Sequence, residues 1–92
     1  MLTREEAGER AAAFLADRSK DWISSDVRII PEYCFVEQGR LIAPYDHCDY
    51  LDRGKEDMQL AGNLPVAVEM ETGKCMFISW DEADDFMERD LL

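Results

Sequence analysis

Ninety-two residues, 47% of them apolar, provide for one small core and not two, since a chain of this size buries roughly 60–65% of its unfolded surface. Twenty-one acidic against ten basic side chains give a net charge of −11, which repels nucleic-acid phosphates and anionic lipid; a basic partner, or solubility alone, remains as its use. The longest apolar run, Ala11–Ala16, falls far short of the roughly 20 residues needed to span a bilayer, and the opening Met-Leu-Thr-Arg-Glu-Glu has no secretory pattern, so a cytoplasmic home is expected.

Thr3 followed by Glu6 has the spacing of a capping box and opens a helix to about Arg18. Ala7, Ala11, Phe14 and Leu15 form its apolar stripe, and its charges cancel, four acids against four bases over Thr3–Lys20. Asp21–Asp26 is loop in character, with Trp22 and Ile23 expected to tuck under the helix end. Val27–Val36 reads as strand, with Pro31 marking an edge, a bulge or a break. Gln38-Gly39 turns the chain into a second strand, Arg40–Tyr45, which Pro44 and the polar Asp46–Asp57 end. A turn of two or three residues fits equally well, and the choice decides which of Cys34 and Phe35 faces inward. Asp46–Asp57 then reads as a long acidic connection of net charge −3, with a helical turn near Glu56–Leu60.

Leu60–Ser79 holds a complete hairpin hinged on Gly73, which must take positive φ if Glu71-Thr72-Gly73 is a three-residue connection. Counting outward, Val66, Val68, Met76 and Ile78 share one face, and Ala67, Glu69, Cys75 and Phe77 the other. Ser79 and Glu82 repeat the capping-box spacing ahead of a terminal helix with Ala83, Phe86, Met87 and Leu91 as its apolar stripe. Asp81–Leu92 carries −5 of the net charge. The predicted fold is a single α+β domain over residues 1–92: a four-stranded antiparallel sheet of two hairpins, with the N-terminal and C-terminal helices on one face.

Little in the chain points to catalysis. His47 and Cys48 are adjacent, so in extended chain they point apart, and no Cys-x-x-Cys or His-x-x-x-His pair adds ligands. The glycines never assemble a phosphate loop. Three irregularly spaced cysteines argue for free thiols. No catalytic residue, metal or cofactor is expected. Of the aromatic residues, Tyr50 and Phe77 are the expected exposed anchors, and the candidate partner contacts are Asp46, Asp49, Tyr50, Asp52, Phe77, Asp84, Asp85 and Glu88.

Leu60-Ala61-Gly62-Asn63, then Pro65 and an apolar strand, then Glu71-Thr72-Gly73-Lys74 and an acidic terminal helix, resemble the YrhB-like family of small bacterial proteins, also an immunity-protein class of polymorphic toxin systems. Tyr50-Leu51-Asp52 before Gly54 is similar to that family's aromatic-Leu-Glu-Thr-Gly segment, and Thr3–Ala7 to its opening helix. Asp52-Arg53-Gly54 lacks the usual threonine, and Cys34–Tyr45 has no family signature. The resemblance implies a non-enzymatic protein that neutralises a cognate toxin, one with a basic surface on the charge reading. The alternative is a small chaperone-like protein that holds unfolded clients.

Overall fold

The computed structural model describes residues 1–22, 26–60 and 63–92; the expectations for Ile23, Ser24 and Ser25 and for the Ala61-Gly62 centre of the tetrapeptide lie outside the described residues. The elements are α1 (Arg4–Ser19), β1 (Val27–Ile29), β2 (Phe35–Glu37), β3 (Arg40–Ala43), β4 (Tyr45–His47), α2 (Cys48–Arg53), β5 (Val66–Glu69), β6 (Cys75–Phe77) and α3 (Trp80–Glu88), with 3-10 turns at Pro31–Tyr33 and Glu56–Met58. The fold is α+β, as the sequence predicts. Strands β2-β3-β5-β6 form a four-stranded antiparallel sheet, and β1 pairs with β4 in a separate two-stranded ribbon. Among the described residues, no helix is long and apolar enough to cross a membrane.

The opening helix forms as its capping box requires: Thr3 Oγ1 accepts the Glu6 N–H at 3.1 Å, and the Glu6 carboxylate accepts the Thr3 N–H at 2.9 Å. A cap of this type is worth about 1 kcal/mol. Ala7, Ala11 and Leu15 are buried against Leu41, Ala43, Val66 and Val68, with Phe14 half-buried beside them. The two alanines carry little bulk, which lets the helix backbone approach the sheet closely.

The helices do not share a face. Leu41 and Ala43 belong to the cluster under α1, whereas Ile42 joins Ala67, Ile78, Ala83 and Phe86 beneath α3. Side chains alternate along a strand, so α1 and α3 lie on opposite sides of the sheet. The cause is visible in β3 and β5: Leu41-Ile42-Ala43 and Val66-Ala67-Val68 are apolar without alternation and fully buried, as a sheet covered on both faces requires. On the α3 side Phe35 meets Phe86 edge-on at 5.3 Å, and Arg40 pairs with Glu82 through both terminal guanidinium nitrogens, Nη1 and Nη2. That pairing holds the Glu82 carboxyl below the usual carboxylate range. Glu82 therefore serves the sheet, while Ser79 caps the helix by accepting the Glu82 N–H at 3.2 Å.

The central hairpin departs from its expected register by one residue. Val66 pairs with Phe77, Ala67 with Met76 and Val68 with Cys75. The connection is four residues, Met70 to Gly73, closed by Glu69 N–H to Lys74 O at 2.9 Å and Gly73 N–H to Glu69 O at 2.8 Å. Met70 cannot pair with Lys74 because its backbone is used elsewhere: its N–H donates to Gly39 O and its carbonyl accepts the Leu2 N–H. A one-residue slip moves every side chain of the returning strand to the other face. Cys75 and Phe77 thus join Val66 and Val68 under α1, and Met76 and Ile78 turn to α3. Gly73 keeps the positive φ expected of it, +77°.

In the first hairpin, Gln38 and Gly39 both have positive φ and Glu37 pairs with Arg40, so the turn has two residues of the type that matches strand twist. Pro31 acts as a break, separating β1 from β2 by a 3-10 turn. Pro44 interrupts the return strand without ending it. Tyr45-Asp46-His47 continues as β4 against β1, and Cys48–Arg53 is helical, so the stretch read as an acidic connection is mostly ordered structure. The short turn expected near Glu56–Leu60 is present at Glu56–Met58.

Candidate protein interface

The acidic residues after Pro44 divide by what they touch. Asp46 is buried, and its Oδ1 accepts the N–H of His47 at 2.7 Å and of Leu60 at 2.8 Å, so it ties β4 to the distant chain. Asp52 is exposed but grips Arg28 with both oxygens, at 2.6 and 3.3 Å, and this hydrogen bonding pulls its carboxyl below the ordinary value. Asp49 faces Arg53 one helical turn away at 3.6 Å. Tyr50 is half-buried. Phe77 is drawn into the core, with its ring centroid 5.2 Å from Phe14, 6.1 Å from Trp22 and 6.3 Å from Tyr45. The expectation that Phe77 is an exposed anchor fails with the register on which it rested.

The terminal helix is different. Asp81, Asp84 and Glu88 are exposed and have no ion-pair partner among the described residues, whereas Asp85 is held by Arg89 at 3.2 Å. Arg89 also reaches Glu37 at 3.6 Å, so the one base of 81–92 is spent on the sheet side. Among the described residues the most exposed aromatics are Tyr33, 65% exposed on the 3-10 turn after β1, and Trp80, 59% exposed at the first position of α3, with Trp22 at 36%. Met87 is 52% exposed, and Leu91 and Leu92 are also open.

Tyr33 joins two grooves. One, of about 380 Å³, runs between the 3-10 turn and α3 and is lined by Tyr33, Pro44, Trp80, Met87 and Leu92. The other, of about 520 Å³, runs from Tyr33 to Tyr50 and is edged by Glu32 and Glu56. The acidic stretch and the terminal helix thus meet at Tyr33. Tyr33 and Trp80 were not expected as anchors; the missed signal is that Trp80, one residue after the Ser79 cap, lies about 60° around the helix from Ala83 and about 120° from Phe86.

Reactive chemistry finds little support in the geometry. Burial pushes the thiols of Cys34, Cys48 and Cys75 up from their ordinary value, and at Cys48 a hydrogen bond with Asp26 adds to it; such thiols hold little thiolate at neutral pH. Ligand atoms of Asp26, His47 and Asp49 do lie within 4.8 Å of one another. His47 Nδ1, however, accepts the Asp49 N–H at 3.1 Å and caps α2, so the neutral ring carries its proton on Nε2 and presents a donor there. A metal at Nε2 would require that proton to move to Nδ1, at the cost of the cap. Treatment with a chelator is therefore expected to leave the circular dichroism and thermal midpoint unchanged; a lowered midpoint would identify the cluster as a metal site.

No family model, no curated protein and no solved structure matches this chain.

Proposed function

We propose that the chain is a non-enzymatic protein-binding module that covers a basic surface of a folded partner. The observation that carries this reading is the coincidence of exposed Tyr33, Trp80 and Met87 with the unpaired acids of α3. Aromatic residues and methionine are enriched at interfaces, and a rim of one charge steers an oppositely charged partner. The sequence resemblance described above adds the role: an immunity protein, acting in the cytoplasm, that neutralises a cognate bacterial toxin by stoichiometric contact. Asp84 and Glu88 are its rim contacts in this reading, with Tyr50 at the far end of the second groove.

The test is co-purification with the product of the neighbouring gene, followed by association kinetics. The on-rate is expected to fall between 0.1 M and 1 M salt, as the Debye length contracts from about 10 Å to about 3 Å. Asp84→Lys combined with Glu88→Lys should slow association about tenfold in low salt with the fold intact, because both side chains are solvent-facing. A wild-type rate for that variant would reduce the acidity to a solvated face. Suppression of aggregation of unrelated proteins, without capture of a folded partner, would favour the holdase alternative.

A further inference from the structure

We infer that the groove between α3 and the 3-10 turn is an anchoring pocket for an amphipathic segment of the partner, one that presents large apolar side chains flanked by lysine or arginine. This rests on the protein-binding reading above and adds to it the site and the chemistry of what enters.

The groove is built by the way α3 ends. Asp90 takes a left-handed conformation, φ +59°, while the Leu91 N–H donates to Phe86 O at 2.8 Å and the Asp90 N–H to Met87 O at 3.1 Å. These two bonds are a Schellman ending, which reverses the chain and brings Leu91 and Leu92 beside Tyr33 and Pro44. With Trp80 and Met87 projecting from α3 itself, the walls are apolar on both sides, and the main groove adjoins a smaller space of about 220 Å³ lined by Tyr33, Pro44, Leu91 and Leu92. Exposed Trp, Tyr and Met around one concavity are the residue types that dominate binding hot spots and interface cores.

Charge then selects the occupant. Around the helix, at about 100° per residue, Trp80 and Met87 occupy one flank and Asp84, Glu88 and Asp81 follow outward from it; Glu82, Asp85 and Arg89 stand on the opposite flank, where Glu82 and Arg89 engage Arg40 and Glu37. The open edge of the groove is thus a row of carboxylates, Asp84, Glu88 and Asp81, with no ion-pair partner among the described residues. A second copy of this chain, itself at −11, would be repelled there, and so would an acidic peptide. A segment with cationic flanks meets the rim and inserts its apolar side chains between Tyr33 and Trp80.

The probe is a synthetic amphipathic peptide of leucine and lysine, titrated into the full chain by calorimetry, alongside a control of equal charge with every leucine replaced by serine and a second control with every lysine replaced by glutamate. The leucine–lysine peptide is expected to bind saturably, and both controls at least about tenfold more weakly. Trp80→Ala with Met87→Ala should weaken binding of the leucine–lysine peptide by about tenfold or more. Both side chains are mostly solvent-exposed, so the thermal midpoint should be retained, and it is measured on the same samples. Equal binding of the serine control, or wild-type affinity in the folded double variant, overturns the inference. If the neighbouring gene product is captured while the leucine–lysine peptide does not bind, the groove inference falls and the protein-binding reading stands; if the peptide binds as described and the neighbouring gene product is not captured, the groove and the protein-binding reading stand and the toxin-neutralising role falls.

Discussion

Phe77→Ala should lower the free energy of unfolding by about 3 kcal/mol, at the low end of the range for deleting a core phenylalanine because the side chain is not fully enclosed. The ring lies among Phe14, Trp22 and Tyr45, and it stands opposite Val66, which is fully buried. Removing it leaves a space that α1, capped at one end and packed through Ala7, Ala11 and Leu15, has little freedom to fill. For a chain of this size each kcal/mol shifts the thermal midpoint by roughly 4–8 °C, so the drop should exceed about 10 °C. A Phe77 facing solvent, as the three-residue turn would have it, predicts a change within about 0.5 kcal/mol. Urea unfolding of the wild type and the variant separates the two, provided the slope with denaturant is unchanged. A midpoint shift under 2 °C would return Phe77 to the surface and restore it as a candidate contact.

What could be read from the sequence, and what could not, follows from how local each determinant is. The opening helix depended on Thr3, Glu6 and a stripe of four apolar residues within one segment, and it is present with its cap and its buried face. Positive φ at Gly73 was likewise legible, because few other residues suit the end of such a turn. The length of that turn was not legible, since it is set by Met70 bonding to Gly39 and Leu2, far away in sequence. The placement of α3 was present as a signal and misread: unbroken apolar triplets in β3 and β5 mean cover on both faces, whereas alternation would have meant one. Strand β4 was hidden because Asp46 and His47 are polar yet buried, their hydrogen bonds going to the backbone of Leu60, His47 and Asp49. Half of the candidate surface was legible for the same reason. The net acidity of α3 is written in its residues, but that Asp85 is occupied by Arg89 and that Tyr33 faces Trp80 across a groove are tertiary facts.

Gly73→Val is expected to destabilise the fold by about 2–3 kcal/mol, and two distinct effects contribute. A β-branched residue at φ +77° is strained by roughly 1–3 kcal/mol wherever it occurs. A Cβ on Gly73 would also lie 2.7 Å from Arg10 Nη1 and 2.9 Å from its Cζ, so the exposed guanidinium over the turn must swing aside, a smaller cost because it ends a flexible side chain. Gly39 separates the two contributions. Its φ is +76°, almost the same, and a Cβ there meets nothing within 4 Å. Gly39→Ala should therefore report the backbone strain alone, about 1 kcal/mol, and Gly73→Ala the strain together with displacement of Arg10. Adding Arg10→Ala to Gly73→Ala should bring its cost down toward that of Gly39→Ala, because the side chain in the way is gone and the dihedral is not relieved. Denaturant midpoints for the three alanine variants and Gly73→Val give the full set. If Gly73→Val unfolds at the wild-type midpoint, no left-handed residue closes this turn, and the four-residue connection, the register of β5 on β6 and the burial of Phe77 all have to be redrawn together.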